Sequence, residues 1–299
     1  MKKSVFWVAA LCVLTLCCCL FGCTVNVDNE RIDVETALKK CNQKQTAEFA
    51  TQDFALNISA DAYNVFVSVT QEEKLSVSWV LHENAQVEVK TADGVCEITQ
   101  KSANLPSAEA EKLYLVVNVP QNWENNDVLV QAEKCELQIL GLTCNALTVE
   151  NNVGDVWVEK CKVAKNVLLR VNTGAVVADL DARGLKISTT TGRVSATGNF
   201  DEKVEIATVV GAVNARCNAK SLEISTETGS VVFQTNAKEI DIVVADSGSV
   251  NGAIDGEKAS FAIDVTSGTG KCNLENQTGG ENTLYVNTDV GSVTIKFSK

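Results

Sequence analysis

The side chains able to do chemistry in this chain are few and scattered. Its one histidine, His82, lies between Leu81 and Glu83 where a strand pattern ends, the position of a surface residue rather than a general base. A serine nucleophile would find no other histidine to activate it. Of the twelve cysteines, those beyond residue 23 form no C-x-x-C pair, the spacing that favours a zinc site or a thioredoxin-like redox centre. Calcium-binding β-rolls repeat G-G-x-G-x-D, and Gly279-Gly280-Glu281-Asn282 does not continue that way. No metal, cofactor or catalytic set is expected. The residue best suited to a ligand contact is Trp123, which follows Pro120 in the polar loop 121–127. An exposed indole there can stack on a sugar or a protein partner; the alternative is that it covers one end of a barrel.

One cysteine carries a different chemistry. Lys2 and Lys3 precede a stretch from Ser4 to Asn26 without a charged residue, the n-region and h-region of an export signal. The h-region ends Leu20-Phe21-Gly22-Cys23, which resembles a bacterial lipobox, and the resemblance implies that Cys23 is acylated and becomes the mature N-terminus. Cys17, Cys18 and Cys19 do not fit, because Leu16, Cys17 and Cys18 precede them in place of a small residue. The alternative is an uncleaved signal anchor, since about 20 apolar residues can span a bilayer. Either way the remainder of the chain is expected outside the cytoplasmic membrane, anchored to it and facing the extracytoplasmic side.

Loss of residues 1–22 takes the net charge from −12 to −14. Such an acidic body repels phosphate backbones and anionic lipid, which argues against a nucleic-acid partner. Seven cysteines follow Cys23: Cys41, Cys96, Cys135, Cys144, Cys161, Cys217 and Cys272. An odd number in an oxidising compartment leaves at least one thiol free or shared between chains. Cys96 and Cys272 fall on the apolar phase of the repeat described next and are expected to act as small buried hydrophobes.

Any site must be positioned by a repeat. Glycine returns every 18 to 20 residues at Gly154, Gly174, Gly192, Gly211, Gly229, Gly248 and Gly268, then at Gly291 after a longer gap. Apolar pairs sit seven and five residues before each, as in Leu147 and Val149, Leu185 and Ile187, or Leu222 and Ile224. In the Gly248 unit the pair Ile240 and Ile242 comes one residue early, implying an extra residue in the turn before that glycine. Two residues after the glycine runs a valine column, Val156, Val176, Val194, Val213, Val231, Val250 and Val293, interrupted at Gly270. Alternation at period two means strand, with one face inward and one to solvent. The glycine between the two strands is expected to supply a sharp turn at positive φ. One unit cannot fold alone. Ordering it costs roughly 1 to 2 kcal/mol per residue, while each inward aliphatic side chain returns about 1.5 to 3 kcal/mol. Stacking supplies the difference, so the expected fold is all-β, a parallel β-solenoid or β-helix of 18- to 20-residue rungs with an irregular N-terminal β region. Eight rungs at about 4.8 Å each make a rod on the order of 40 Å long.

The same offsets extend backward, first to Val128, Val130, Cys135, Leu137 and Ile139, then to Val87, Val89, Gly94, Cys96 and Ile98. A weaker copy pairs Leu56 and Ile58 with Val65 and Val67. The expected organisation is a signal peptide at 1–22, a polar linker at 23–50 with a short helix from Val34 to Lys40, an N-terminal β region at 51–126, and solenoid repeats at 127–299. Trp79 shares strand parity with Leu75 and Val77 and is expected in the core.

An exported, membrane-anchored chain with the segment Leu113 to Pro120 (LYLVVNVP) and repeated strand-Thr-x-x-Gly-x-Val units resembles the bacterial putative-adhesin family of β-strand-repeat proteins, over roughly residues 50–299. The resemblance implies a β-helical fold and an envelope location, with some relatives acting as accessories of envelope-stress signalling, and it brings no catalytic residues. Three functions are therefore weighed: a non-catalytic binding or adhesion module for an envelope or host glycan or protein, an accessory of a membrane signalling protein, and a glycan-active enzyme. The enzyme needs carboxylates clustered on one face. The outward residues six and four before each glycine (Thr148 and Glu150, Leu168 and Arg170, Lys186 and Ser188, Glu205 and Ala207) form no acidic column, so the binding module is favoured.

Overall fold

Strand alternation becomes architecture through register. In the computed structural model, which describes residues 32–47, 54–123 and 126–298, the strand before each glycine pairs in parallel with its counterpart one coil away. The partners Val149↔Leu169↔Ile187↔Ile206↔Ile224↔Ile242↔Val286 run down one sheet without slipping. The strand after each glycine builds a second sheet, with Val156↔Val176↔Val194↔Val213↔Val231↔Val250↔Val293 in line. Every member of both columns is buried. The protein is a parallel β-solenoid, as the repeat implies. The extra residue before Gly248 also appears, as a register shift between Val244 and Ser247.

The glycines do more than turn the chain. Gly192 and Gly211 have no positive φ, yet a Cβ on Gly192 would overlap the Gly174 carbonyl oxygen, and one on Gly211 would overlap that of Gly192. The same clash is repeated along the stack from Gly154, against the Cys135 carbonyl, to Gly291, against that of Gly248. What selects glycine is therefore the close stacking of one turn on the next. In some coils the residue three before the glycine bonds to a stacked carbonyl: Thr288 Oγ1 donates to Gly248 O at 3.0 Å, Ser267 Oγ to Gly291 O at 2.9 Å and Asn151 Nδ2 to Cys135 O at 2.8 Å, whereas Val171 fills that position before Gly174 and the Thr189 and Thr208 hydroxyls are buried without such a bond.

Two sequence readings are corrected at the ends of the stack. The phrase Val87, Val89, Gly94, Cys96, Ile98 is not a coil. Strands Ala85–Ala92 and Val95–Ser102 pair antiparallel around Asp93 (φ 52) and Gly94 (φ 74), the two-residue Asp-Gly turn that reverses a chain into a hairpin. The last glycine of the column is Gly270, not Gly268: a Cβ on Gly270 would overlap the Gly291 carbonyl oxygen. Cys272 then occupies the valine position, bridged to Val293, and the apparent gap in the valine column disappears. Cys272 is nevertheless exposed, in the coil that ends the stack. The other thiols on the apolar phase, Cys96 among them, are buried, and burial pushes Cys96 up to about 11 and Cys217 up to about 12. All seven cysteines of the described residues are free thiols.

Coil order departs from chain order at both ends. Strand Ala55–Ala60 lies between Val95–Ser102 and Asp127–Lys134, and Asn64–Thr70 lies between Tyr114–Pro120 and Leu137–Leu140. At the other end, Asn282–Val290 is inserted between Glu239–Ser247 and Phe261–Ser267. The first and last coils in sequence are thus held one layer inside. The outer C-terminal coil is closed by amides: Asn273 both donates to Ile295 O and accepts from Ile295 N, Asn276 Oδ1 accepts from Val265 N, and Gln277 exchanges two backbone bonds with Ile263. These contacts occupy the strand edge that could otherwise template another chain. In the segment expected as a linker, the expected helix Val34–Lys40 is present and packs on Tyr114–Pro120 with Ala37 buried, and beyond that expectation Gln43–Ala47 pairs antiparallel with Leu75–Trp79. Leu75 and Val77 are in the core, and Trp79 packs against it, half-buried.

Replacing Gly211 with alanine is expected to destabilise the fold by about 2 to 3 kcal/mol, since the added methyl meets a carbonyl fixed in the ladder. Chemical denaturation measures this, and wild-type stability would contradict a contact-selected glycine.

Candidate functional site: a groove across the coils

Because the residue three before each glycine, or four before Gly248, turns inward, the residues on either side of it point out and form two parallel walls. One wall carries Gln131, Glu150, Arg170, Ser188, Ala207, Ser225 and Val243; the other carries Glu133, Asn152, Asn172, Thr190, Val209, Glu227 and Ala245. Between them lies an open groove of about 940 Å³. It crosses the strands and runs along the stack from Ser59 to Ala245. Eight consecutive paired strands contribute, a length of about 34 Å at ~4.8 Å per strand.

Hydrogen bonds along the axis order both walls at the N-terminal end. Gln131 Nε2 donates to Glu150 Oε2 at 3.0 Å and Arg170 to Glu150 Oε1 at 2.8 Å. These bonds, that from Gln131 first, hold the Glu150 carboxyl below the ordinary carboxylate range. Opposite them, Asn172 Nδ2 donates to Asn152 Oδ1 at 3.1 Å, and Asn152 Nδ2 to Glu133 Oε2 at 3.4 Å. Asp61 Oδ2 accepts from Ser102 N at 3.0 Å. The carboxylates of the groove, Asp61, Glu133, Glu150 and Glu227, face one cation, Arg170. Toward Gly248 apolar and polar coils alternate, Ala207 and Val209 being followed by Ser225 and Glu227 and then by Val243 and Ala245. Among the described residues no group of His, Cys, Asp and Glu is arranged to hold a metal ion. A smaller depression of about 300 Å³ lies on the outer face of the other sheet, between Arg216 and Lys296.

The residues singled out in the sequence lie elsewhere. Cys23 and the signal segment fall outside the described residues. Among the described residues no helix is long and apolar enough to cross a membrane. His82 accepts from Asn84 N through Nδ1 at 3.2 Å, and its Nε2 lies 3.3 Å from Glu109, away from the groove lining. Of the two readings of Trp123, the structure has the covering one and not the exposed contact residue: the ring is 2% exposed, tilts against Phe54 at 5.4 Å between centroids, and donates through Nε1 to Phe54 O at 3.2 Å. A polar loop carries Trp123, but the ring folds under it into the end of the core, where its N–H finds a backbone acceptor. The groove itself escaped the sequence reading. Comparing the residues four and two before each glycine as columns is the signal that exposes it. Lys186, Glu205 and Glu223, six before Gly192, Gly211 and Gly229, instead form an ion-pair ladder with Lys203, in which Lys186 meets Glu205 and Lys203 meets Glu205 and Glu223.

Trp123→Ala is expected to cost about 3 to 5 kcal/mol of stability by opening a cavity. Thermal unfolding followed by circular dichroism checks it, and an unchanged melting temperature would contradict the buried assignment.

No curated protein matches the chain. Among solved structures, a putative lipid binding protein from Parabacteroides distasonis is similar at 12% identity and TM-score 0.48, over 85% of this chain and 98% of that one. A putative adhesin from Bacteroides fragilis is similar at 14% identity and TM-score 0.40, over 71% and 98%. A putative adhesin from Parabacteroides merdae is similar at 16% identity and TM-score 0.36, over 86% and 97%. Residues 54–298, covering the stacked coils from the first buried strand to the end of the described chain, match the family described as Toastrack DUF4097, and the chain belongs to that family.

Proposed function

We propose that this protein is an exported, lipid-anchored, non-catalytic binding module of the cell envelope, held at Cys23 on the extracytoplasmic side of the membrane. The observation that carries the reading is the groove: a long open channel along the stack, whose walls at the N-terminal end are side chains hydrogen-bonded to one another. Such a surface suits an extended ligand contacted at many weak points. Catalysis instead needs a nucleophile or an acid and base held on one reacting atom, whereas the groove carboxylates are spread over the coils, and Asp61, Glu133 and Glu150 are engaged by amide, guanidinium or backbone donors. Export is supported by the lysine-led apolar segment before Cys23, and the anchor by Leu20, Gly22 and Cys23.

Two outcomes test this reading. Cys23→Ala is expected to abolish incorporation of labelled palmitate and to release the chain from the membrane fraction; continued labelling would contradict the anchor. The full chain incubated with solubilised envelope and host-matrix material is expected to retain a saturable ligand, and a failure to retain any would contradict the binding module.

A further inference from the structure

We infer that the groove is a site for a linear, neutral, β-1→4-linked glycan lying along the stack axis, an assignment that rests on the binding-module reading. The direction of the groove comes first. Its walls are built from equivalent positions on successive coils, so contacts recur once per coil, at about 4.8 Å. An extended peptide presents side chains to one face every two residues, roughly 6.6 to 6.8 Å, and falls out of step within a few coils. Nor can a peptide add to the sheet here, because it would cross the strands and their backbone groups already bond to each other. A β-1→4-linked hexopyranose chain is extended and advances by close to one coil per sugar, with successive rings turned over, so its rings keep step with the coils while their alternating edges meet the differing side chains of the walls.

Chemistry narrows the class further. Asn172, having donated one N–H to Asn152, keeps a second donor and its carbonyl oxygen for a ligand, and Ser188, Thr190 and Ser225 add hydroxyls on the following coils. Hydroxyl-rich ligands pair with such groups. The methyl-lined stretch around Ala207 and Val209 matches the C–H faces of sugar rings. The charge disfavours anionic polymers: four carboxylates against one guanidinium, on a chain of net charge −12, repel polyuronates and phosphate-bearing chains. No aromatic ring lines the groove, so each sugar is held weakly and affinity must grow with chain length.

Isothermal titration of the full chain with β-1,4-linked N-acetylglucosamine and glucose oligomers tests this, with polygalacturonate and oligolysine as charged probes. The expected result is a Kd that falls with each added sugar until the oligomer fills the groove. The double variant Asn172→Ala, Ser188→Ala is expected to weaken binding about tenfold or more. Ala207→Trp, which fills the channel, should abolish it. Both changes lie on solvent-facing positions and should leave the melting temperature unchanged, as should Arg216→Ala on the other sheet, which should also leave binding unchanged. Affinity independent of length, tighter binding of oligolysine or polygalacturonate, or full binding by Ala207→Trp would each overturn the assignment. In those cases, retention of a different ligand from envelope material would leave the binding-module reading standing, and retention of none would remove that reading as well.

Discussion

The structure depends on one close contact, the seating of each glycine turn on the carbonyl of the turn before it. With no Cβ between them, Gly174, Gly192, Gly211 and Gly229 stack at a separation that a methyl group would prevent. Each also donates its N–H to the next coil, as Gly174 does to Thr191 O at 2.9 Å and Gly211 to Thr228 O at 2.9 Å. This contact sets the register of both sheets, because a coil displaced by one residue would put its Cβ into the column and turn its valines to solvent. Burial of the aliphatic columns supplies most of the favourable energy, but the glycine column decides which residues of neighbouring coils meet.

Function follows from the same register. Since outward positions align as strictly as inward ones, residues that are remote in sequence become neighbours in lines along the stack. One line is the Lys186, Glu205, Lys203 and Glu223 ladder; two others, around Glu150 and Asn172, wall the groove. A globular pocket gathers unlike residues around a point. A solenoid gathers like positions along an axis, and a ligand with its own translational repeat is what such a surface can read.

The repeat, the inward valines and the extra residue before Gly248 were all legible in the sequence, because period-two alternation and the glycine spacing are local signals. Three features were not. The hairpin at Asp93-Gly94 shares the apolar offsets of a coil, and only the direction of the turn separates the two. Gly268 and Gly270 both fit a turn, and the choice between them rests on which lies over Gly291, a contact made with a later part of the chain. Insertion of the coils at 55–70 and 282–297 one layer inside the ends is likewise a long-range choice with no local mark. Trp123 shows the limit for single side chains: the polarity of its loop was read correctly, but which side of the loop the ring occupies depends on Phe54, distant in sequence. The groove was hidden because its residues, taken one coil at a time, have nothing in common.

The most direct test of the account is to locate a bound ligand by a crystal structure of the chain with an N-acetylglucosamine hexamer. The account predicts sugar density running along the stack between the walls that carry Asn172 and Arg170, with successive rings on successive coils. Density confined to one coil, lying parallel to the strands, or seated at the end of the stack near Trp123 would contradict it.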